Sequence, residues 1–272
     1  MELEVADFSL DETLRAGQTF AWHKEDDSWF SFIDSPLCIR QKGPSTLDIV
    51  GCDETAVRAR LGLNDDVASI KAEVDKDDFV DAAIRHSGRL RVVKEGLWPA
   101  TLGFILSIQS NIPLIHRRVA ALSKSYGEKT SFEGREMRSF PPADKIYEKG
   151  MEKLKELKLG FRTKFVFAAA EHFCTREISE RLSTTDMRKE LLEIKGVGDK
   201  VADCIMLYGL HDLSVFPMDV WILRVIEKAY GGVLKGAKNY TAKSRIMRDY
   251  FGRYAGYAQL YIYNYSRLNK IK

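Results

Sequence analysis

The chain has 272 residues and a mass of 31.0 kDa, room for one large domain or two modest ones at roughly 100–200 residues each. With 45% hydrophobic and 30% charged residues, the composition excludes a disordered chain and offers no apolar run long enough for a transmembrane helix. Four cysteines (Cys38, Cys52, Cys174 and Cys204) lie far apart with no CxxC pair, which argues against a disulfide framework, a zinc site and an iron–sulfur cluster. The acidic start MELEVADFSL lacks the basic and apolar regions of a secretory signal, so an intracellular, reducing compartment is expected.

The net charge of +3 is unevenly spread. Residues 1–80 carry 8 Lys/Arg against 18 Asp/Glu, and residues 81–272 carry 34 against 21. A basic section joined to an acidic one points to a polyanionic partner, most often nucleic acid, with a merely solvated basic surface as the alternative.

In chain order, SWFSFI, PLCIRQ and TLDIVG read as short strands separated by turn-forming residues. From about residue 66 the pattern becomes helical, with VASIKAEVDKDDFVDAAIRHSG ending on Gly88. In WPATLGFILSIQS, Pro99 sits where a helix can begin, and the stretch is apolar nearly all round, as in a central buried helix. Pro113 opens IPLIHRRVAALSKSYG. The remaining helical stretches run from KGMEKLKELKL through KFVFAAAEHFCT, DMRKELLEI, KVADCIMLYGL, DVWILRVIEKAYGG and KSRIMRDYF to YAQLYIYNYSRL. The expected fold is α+β: an antiparallel β-rich domain over 1–80, then a mostly helical domain over 81–272.

LLEIKGVGDKVADCIML (Leu191–Leu207) is the most informative segment. An amphipathic helix ends at Ile194, a Gly-Val-Gly turn follows, and a second helix starts near Lys200. Glycine backbone N–H groups at a helix start can hold a phosphate without reading a base; an ordinary helix–turn–helix corner explains the same pattern. Asp219, after Pro217 in FPMDVW, is either a plain N-cap or a carboxylate facing a cationic sugar. Lys200 is either a solvated first-turn lysine or, desolvated, an amine nucleophile. Spacing leaves both questions open.

IKGVGDKVADC followed by FPMDVW resembles the helix-hairpin-helix–GPD superfamily of base-excision DNA glycosylases. Within it, the chain is most similar to the 8-oxoguanine DNA glycosylase/AP lyase of the eukaryotic type. GQTFAW (Gly17–Trp22), GRLRVVKEGLWPATLGFILSIQSNI, LKLGFRTKF and GYAQLYIYN match further motifs of that family in order along the chain. The resemblance implies double-stranded DNA containing 8-oxoguanine as partner, a flipped-out base, and base excision followed by β-elimination. It makes Lys200 the nucleophile and Asp219 the catalytic aspartate. Gly17, Cys204, Gln259 and Tyr263 become the base pocket, with Tyr263 where the family usually has Phe. Gln109, Phe161, Arg162 and the hairpin Lys195, Gly196, Val197 and Gly198 become DNA contacts.

Four further positions depart from the eukaryotic pattern. Gln109 stands for an asparagine, Phe161 for a tyrosine, Leu114 for an arginine that helps read the opposite cytosine, and Trp221 for a histidine. The resemblance implies no organic cofactor, no side-chain metal site and no iron–sulfur cluster. A structural cation at the hairpin backbone carbonyls, a monomer and no membrane association are further expectations. The rival readings are a monofunctional alkylbase glycosylase, which Lys200 argues against, and a non-catalytic hairpin module.

Overall fold

The computed structural model describes residues 1–271. An N-terminal unit contains β1 (Glu2–Glu4), α1 (Leu10–Arg15), β2 (Trp22–Glu25), β3 (Ser28–Phe32), β4 (Pro36–Lys42), β5 (Thr46–Val50) and α2 (Glu54–Arg60). The strands form one antiparallel sheet in the order β1-β5-β4-β3-β2. Alternation dictates its buried face: Leu37 and Ile39 of β4 and Leu47 and Ile49 of β5 point inward, where α1 and α2 cover them with Leu10, Leu14, Val57 and Leu61. α2 is absent from the sequence reading. It is a seven-residue helix started by Asp53, whose side chain accepts from the Ala56 N–H.

The helical unit follows, with α3 (Val67–Val74), α4 (Asp78–Ser87), α5 (Leu97–Ser107) and α6 (Ile112–Tyr126). A two-stranded ribbon, β6 (Lys129–Phe132) and β7 (Arg135–Arg138), interrupts it. Then come α7 (Ala143–Glu156), α8 (Thr163–Thr175), α9 (Thr184–Leu192), α10 (Asp199–Leu210), α11 (Val220–Tyr230), α12 (Tyr240–Phe251) and α13 (Ala255–Leu268). The helical stretch expected over 67–88 is broken at Asp75–Asp77. Asp77 caps α4 through the Phe79 and Val80 N–H groups and also accepts from the Tyr230 and Tyr250 hydroxyls. That carboxylate thus accepts from four donors at the point where α4 begins. The ribbon β6–β7 was also not read, because KTSF and REMR are short and mostly polar.

α5 is buried on every side, with Leu102, Ile105 and Leu106 fully enclosed, as its apolar sequence predicts. Around it lies a second core to which Ile70, Val80 and the later helices contribute. The change from the first core to the second falls between Leu63 and Ile70, whereas the composition shift at residue 80 falls inside α4. Ala16 and Phe20, early in the chain, belong to the second core. The segment after α1 therefore crosses from one unit into the other.

Candidate active site

That crossing segment is GQTFAW. The buried Gln18 side chain donates to the Thr13 and Arg91 carbonyls at 2.8 Å each and accepts from the Val93 N–H at 3.1 Å. The Trp22 indole donates to Glu95 at 2.9 Å, and the Phe20 ring packs edge-on against Phe104 of α5. Three anchors thus hold Gly17 in place. Its φ is +78°, and a Cβ there would stand 2.8 Å from Ile112 Cδ1 and 3.7 Å from the Tyr263 hydroxyl. The positive φ favours glycine at this turn, whereas the Ile112 methyl ends a flexible side chain that can give way.

The hairpin forms as read, with α9 ending at Leu192 and α10 starting at Asp199. Gly196 has φ +98° and lies so close to Phe165 that any Cβ would collide with the ring. Gly198 differs: its φ is −105° and the space beside it is open. Neither strain nor crowding within the protein demands glycine there. Val197 is buried, so only its backbone can serve a surface role, while the Lys195 side chain is exposed.

A buried network that motif reading missed braces the hairpin. Arg188 of α9 donates to Asp203 and to Asp199 of α10, and the Tyr240 hydroxyl of α12 donates to Asp203 at 2.6 Å. Burial raises the Asp203 carboxyl above its ordinary range, and the Arg188 guanidinium opposes that shift. The three helices are thereby locked around the first turns of α10.

Lys200 sits in the first turn of α10, with its Nζ 5.2 Å from the centroid of the Phe104 ring. Asp219 is the N-cap of α11, its Oδ1 accepting from the Trp221 and Ile222 N–H groups at 3.0 and 2.7 Å. The ordinary capping role is thus real. It also fixes the carboxylate on the wall that carries Lys200. Cys204, one turn after Lys200, is buried, and burial pushes its thiol up to about 11. It is a neutral wall at physiological pH and not a competing nucleophile.

Gly17, Lys200, Cys204, Asp219, Gln259 and Tyr263 line one slot, together with Phe104 and Tyr208. The slot opens into a cleft of about 1120 Å³ that shares Gly17, Lys200, Asp219 and Tyr263 with it. Such a volume exceeds the roughly 300–1,000 Å³ of small-molecule pockets and suits a segment of a larger molecule. The six residues expected as catalytic pair and pocket, from four separate stretches of sequence, are therefore brought together. Phe104 and Tyr208 went unread: one looked like ordinary filling of a buried helix, the other like one of eleven tyrosines. Trp221 meets Tyr263 edge-on at 5.7 Å, and Arg267 lies 5.9 Å over the same ring.

Gln109 also lines the cleft, and the turn around it is built differently. Gln109 is exposed with φ +48°, and Phe161 is 43% exposed in the 3₁₀ turn before α8. Arg162 is 5% exposed. Its Nε and Nη2 donate to the Ile108 carbonyl, and Nη2 also reaches the Gln109 carbonyl at 2.9 Å. The arginine expected as a DNA contact also braces the Gln109 loop. Leu114 lies in the first turn of α6, its N–H capped by Asn111 Oδ1 at 3.0 Å.

A helix–turn–helix with an amine at its second helix, a capping carboxylate on the next and a slot opening on a wide cleft define a helix-hairpin-helix glycosylase scaffold. No family profile matches the chain. MBOgg1, solved in complex with a low-affinity DNA ligand, superposes with a TM-score of 0.91 at 31% identity, over 99% of this chain and 96% of that one. The 8-oxoguanine glycosylase/lyase of Clostridium acetobutylicum, solved with double-stranded DNA carrying cytosine opposite 8-oxoguanine, gives 0.90 at 25% identity over 100% and 99%. A probable N-glycosylase/DNA lyase of Methanothermobacter thermautotrophicus is 24% identical over 98% of this chain and 96% of its own. The chain belongs to the Ogg1 family of N-glycosylase/DNA lyases.

Proposed function

We propose that the protein excises 8-oxoguanine from double-stranded DNA and cleaves the resulting abasic site by β-elimination. The observation that carries this reading is the convergence of Lys200, Asp219, Gly17, Cys204, Gln259 and Tyr263 on one slot. A base must leave the stack to be reached. The slot offers it an aromatic face in Tyr263, a thiol wall in Cys204 and an amide in Gln259.

Lys200, as the free amine, attacks C1′ of the flipped nucleotide. The bond from C1′ to the base breaks, and the base departs with its electron pair. Asp219 stabilises positive charge at the sugar as that bond weakens. The departed base anion takes the proton that the attached nitrogen loses, the ring oxygen gains one from water as the sugar opens, and a protonated Schiff base results. Water or the departed base then removes a proton from C2′. The freed electron pair forms the C2′–C3′ double bond, and the 3′ phosphate leaves with the C3′–O pair. No organic cofactor is needed, because the imine is the electron sink. Discrimination rests on the N7–H of 8-oxoguanine, which guanine lacks. The Gly17 carbonyl accepts it, and guanine leaves that acceptor unpaired.

The chain's basic section supports sequence-independent holding of the duplex, with the open face at Gly198 and the exposed Lys195 meeting backbone phosphate. Phe161, Gln109 and the Arg162 turn lie on the rim where the gap left by the flipped nucleotide would fall. No helix among the described residues is long and apolar enough to cross a membrane. The cation expected at the hairpin carbonyls is an additional proposal on which the chemistry does not depend.

The test is a duplex bearing a single 8-oxoguanine. Release of the free base together with strand scission is expected. Base release without scission would support a monofunctional enzyme, and neither product would leave a binding module.

A further inference from the structure

Gln259 does not lie loose in the slot. It is 5% exposed, and its Oε1 accepts a 3.2 Å hydrogen bond from the hydroxyl of Tyr208. Tyr208 is equally buried and stacks on Phe104 with ring centroids 5.5 Å apart and planes 21° from parallel. Its backbone carbonyl accepts from the Glu95 N–H at 2.8 Å, so ring and main chain are both held. Burial, with the neighbouring Cys204, Tyr263 and Asp219, keeps the phenol far above its ordinary range. It is therefore a proton donor throughout the physiological range.

A primary amide is nearly symmetric in shape, and its partners decide which end faces which way. A donor on Oε1 turns Nε2 the other way and leaves Oε1 a second lone pair. A guanine-type edge offers the acceptor O6 beside the donor N1–H. An adenine-type edge offers the reverse, a donor amino group beside the acceptor N1. An amide held in one orientation pairs with the first edge through Nε2 and the second lone pair of Oε1. To pair with the other edge it must turn over, which sets Nε2 against the Tyr208 hydroxyl and strands a buried proton. We propose that Tyr208 is a positioning residue that fixes the Gln259 amide for a 6-oxopurine edge and so sets the preference for 6-oxo over 6-amino oxidised purines. The proposal rests on the excision reading given above.

Single-turnover rates on duplexes carrying 8-oxoguanine, 8-oxoadenine or a preformed abasic site test it in the full-length protein. Wild type should favour 8-oxoguanine over 8-oxoadenine. Tyr208→Phe keeps the ring and its stack and removes only the hydroxyl. It should lower that preference about tenfold, the worth of one buried hydrogen bond. The ratio of 8-oxoguanine excision to abasic-site cleavage should fall with it. Gln259→Leu removes the same bond from the other side, and adding Tyr208→Phe to it should change either ratio by less than about twofold. Tyr208→Met gives a second test should the phenylalanine variant fold poorly. An unchanged preference in Tyr208→Phe, equal loss on all three substrates, or fully additive losses in the double variant would overturn the inference while leaving the excision reading intact. A wild type that cleaves the abasic site but excises neither oxidised purine, or shows no preference between them, overturns the inference too, and the former outcome also removes the excision reading.

Discussion

The slot and the turn around Gln109 differ in how firmly their side chains are held. In the slot, Gln259 is bonded to Tyr208, Tyr208 is stacked on Phe104, and Cys204 is enclosed. The Gly17 turn is pinned through Gln18, and the Arg188–Asp203–Tyr240 network fixes the helix that carries Lys200. In the turn around Gln109, Gln109 and Phe161 face solvent, and the Nε and Nη2 of Arg162 bond the loop's own carbonyls. The slot is organised before any ligand arrives. Preorganised donors and acceptors lose little on binding and discriminate strongly; loosely held ones rearrange and discriminate less.

Replacing the proposed nucleophile breaks the comparison most severely. Lys200→Gln should abolish strand cleavage while DNA binding persists, because the phosphate contacts proposed at Lys195 and Gly198 are untouched. Filter binding alongside a nicking assay checks both halves. The next largest effect is expected in the pocket. Gly17→Ala meets a strained φ and a crowded Ile112, and Tyr263→Ala removes a stacking face worth about 1–3 kcal/mol. Both should reduce 8-oxoguanine excision by roughly 10- to 100-fold, with much smaller effects on a preformed abasic site, where no base is read. Equal losses on the two substrates would mean that these residues only support the fold.

Smaller effects belong to the rim and the basic surface. Leu114 has no side-chain donor for an opposite cytosine. Excision opposite cytosine should therefore exceed excision opposite other bases by less than about tenfold, one good base contact being worth about 1–3 kcal/mol. Leu114→Arg should sharpen the preference, and a strong cytosine preference in wild type would show that another donor, such as Arg162 Nη1, does the reading. Finally, log K for duplex DNA should fall with log salt by about 0.9 per phosphate neutralised. A flat dependence would contradict backbone-dominated binding.

The same contrast explains what could be read without the structure. Lys200 after Gly198, Asp219 after Pro217 and the Gly17 turn were legible as candidates through the family resemblance that their motifs carry, since spacing alone leaves their roles open. The buried α5 was legible because it is apolar on every face. Tyr208 and Phe104 were not, since their roles arise only where α10, α5 and α13 cross. The capping of α4 by Asp77 was hidden because two of its donors, Tyr230 and Tyr250, lie more than a hundred residues away in the chain. Arg162 matched its motif, but the sequence carries no sign that its guanidinium turns inward to the Ile108 carbonyl.

The central claim is that the Lys200 amine itself becomes bonded to the sugar. Borohydride reduction during reaction with an 8-oxoguanine duplex, followed by proteolysis and mass mapping of the adduct, tests it most directly. A covalent DNA adduct on the peptide containing Lys200, absent in Lys200→Gln, is the predicted result. An adduct on Lys195, or active base release with no trapped species at all, would contradict it.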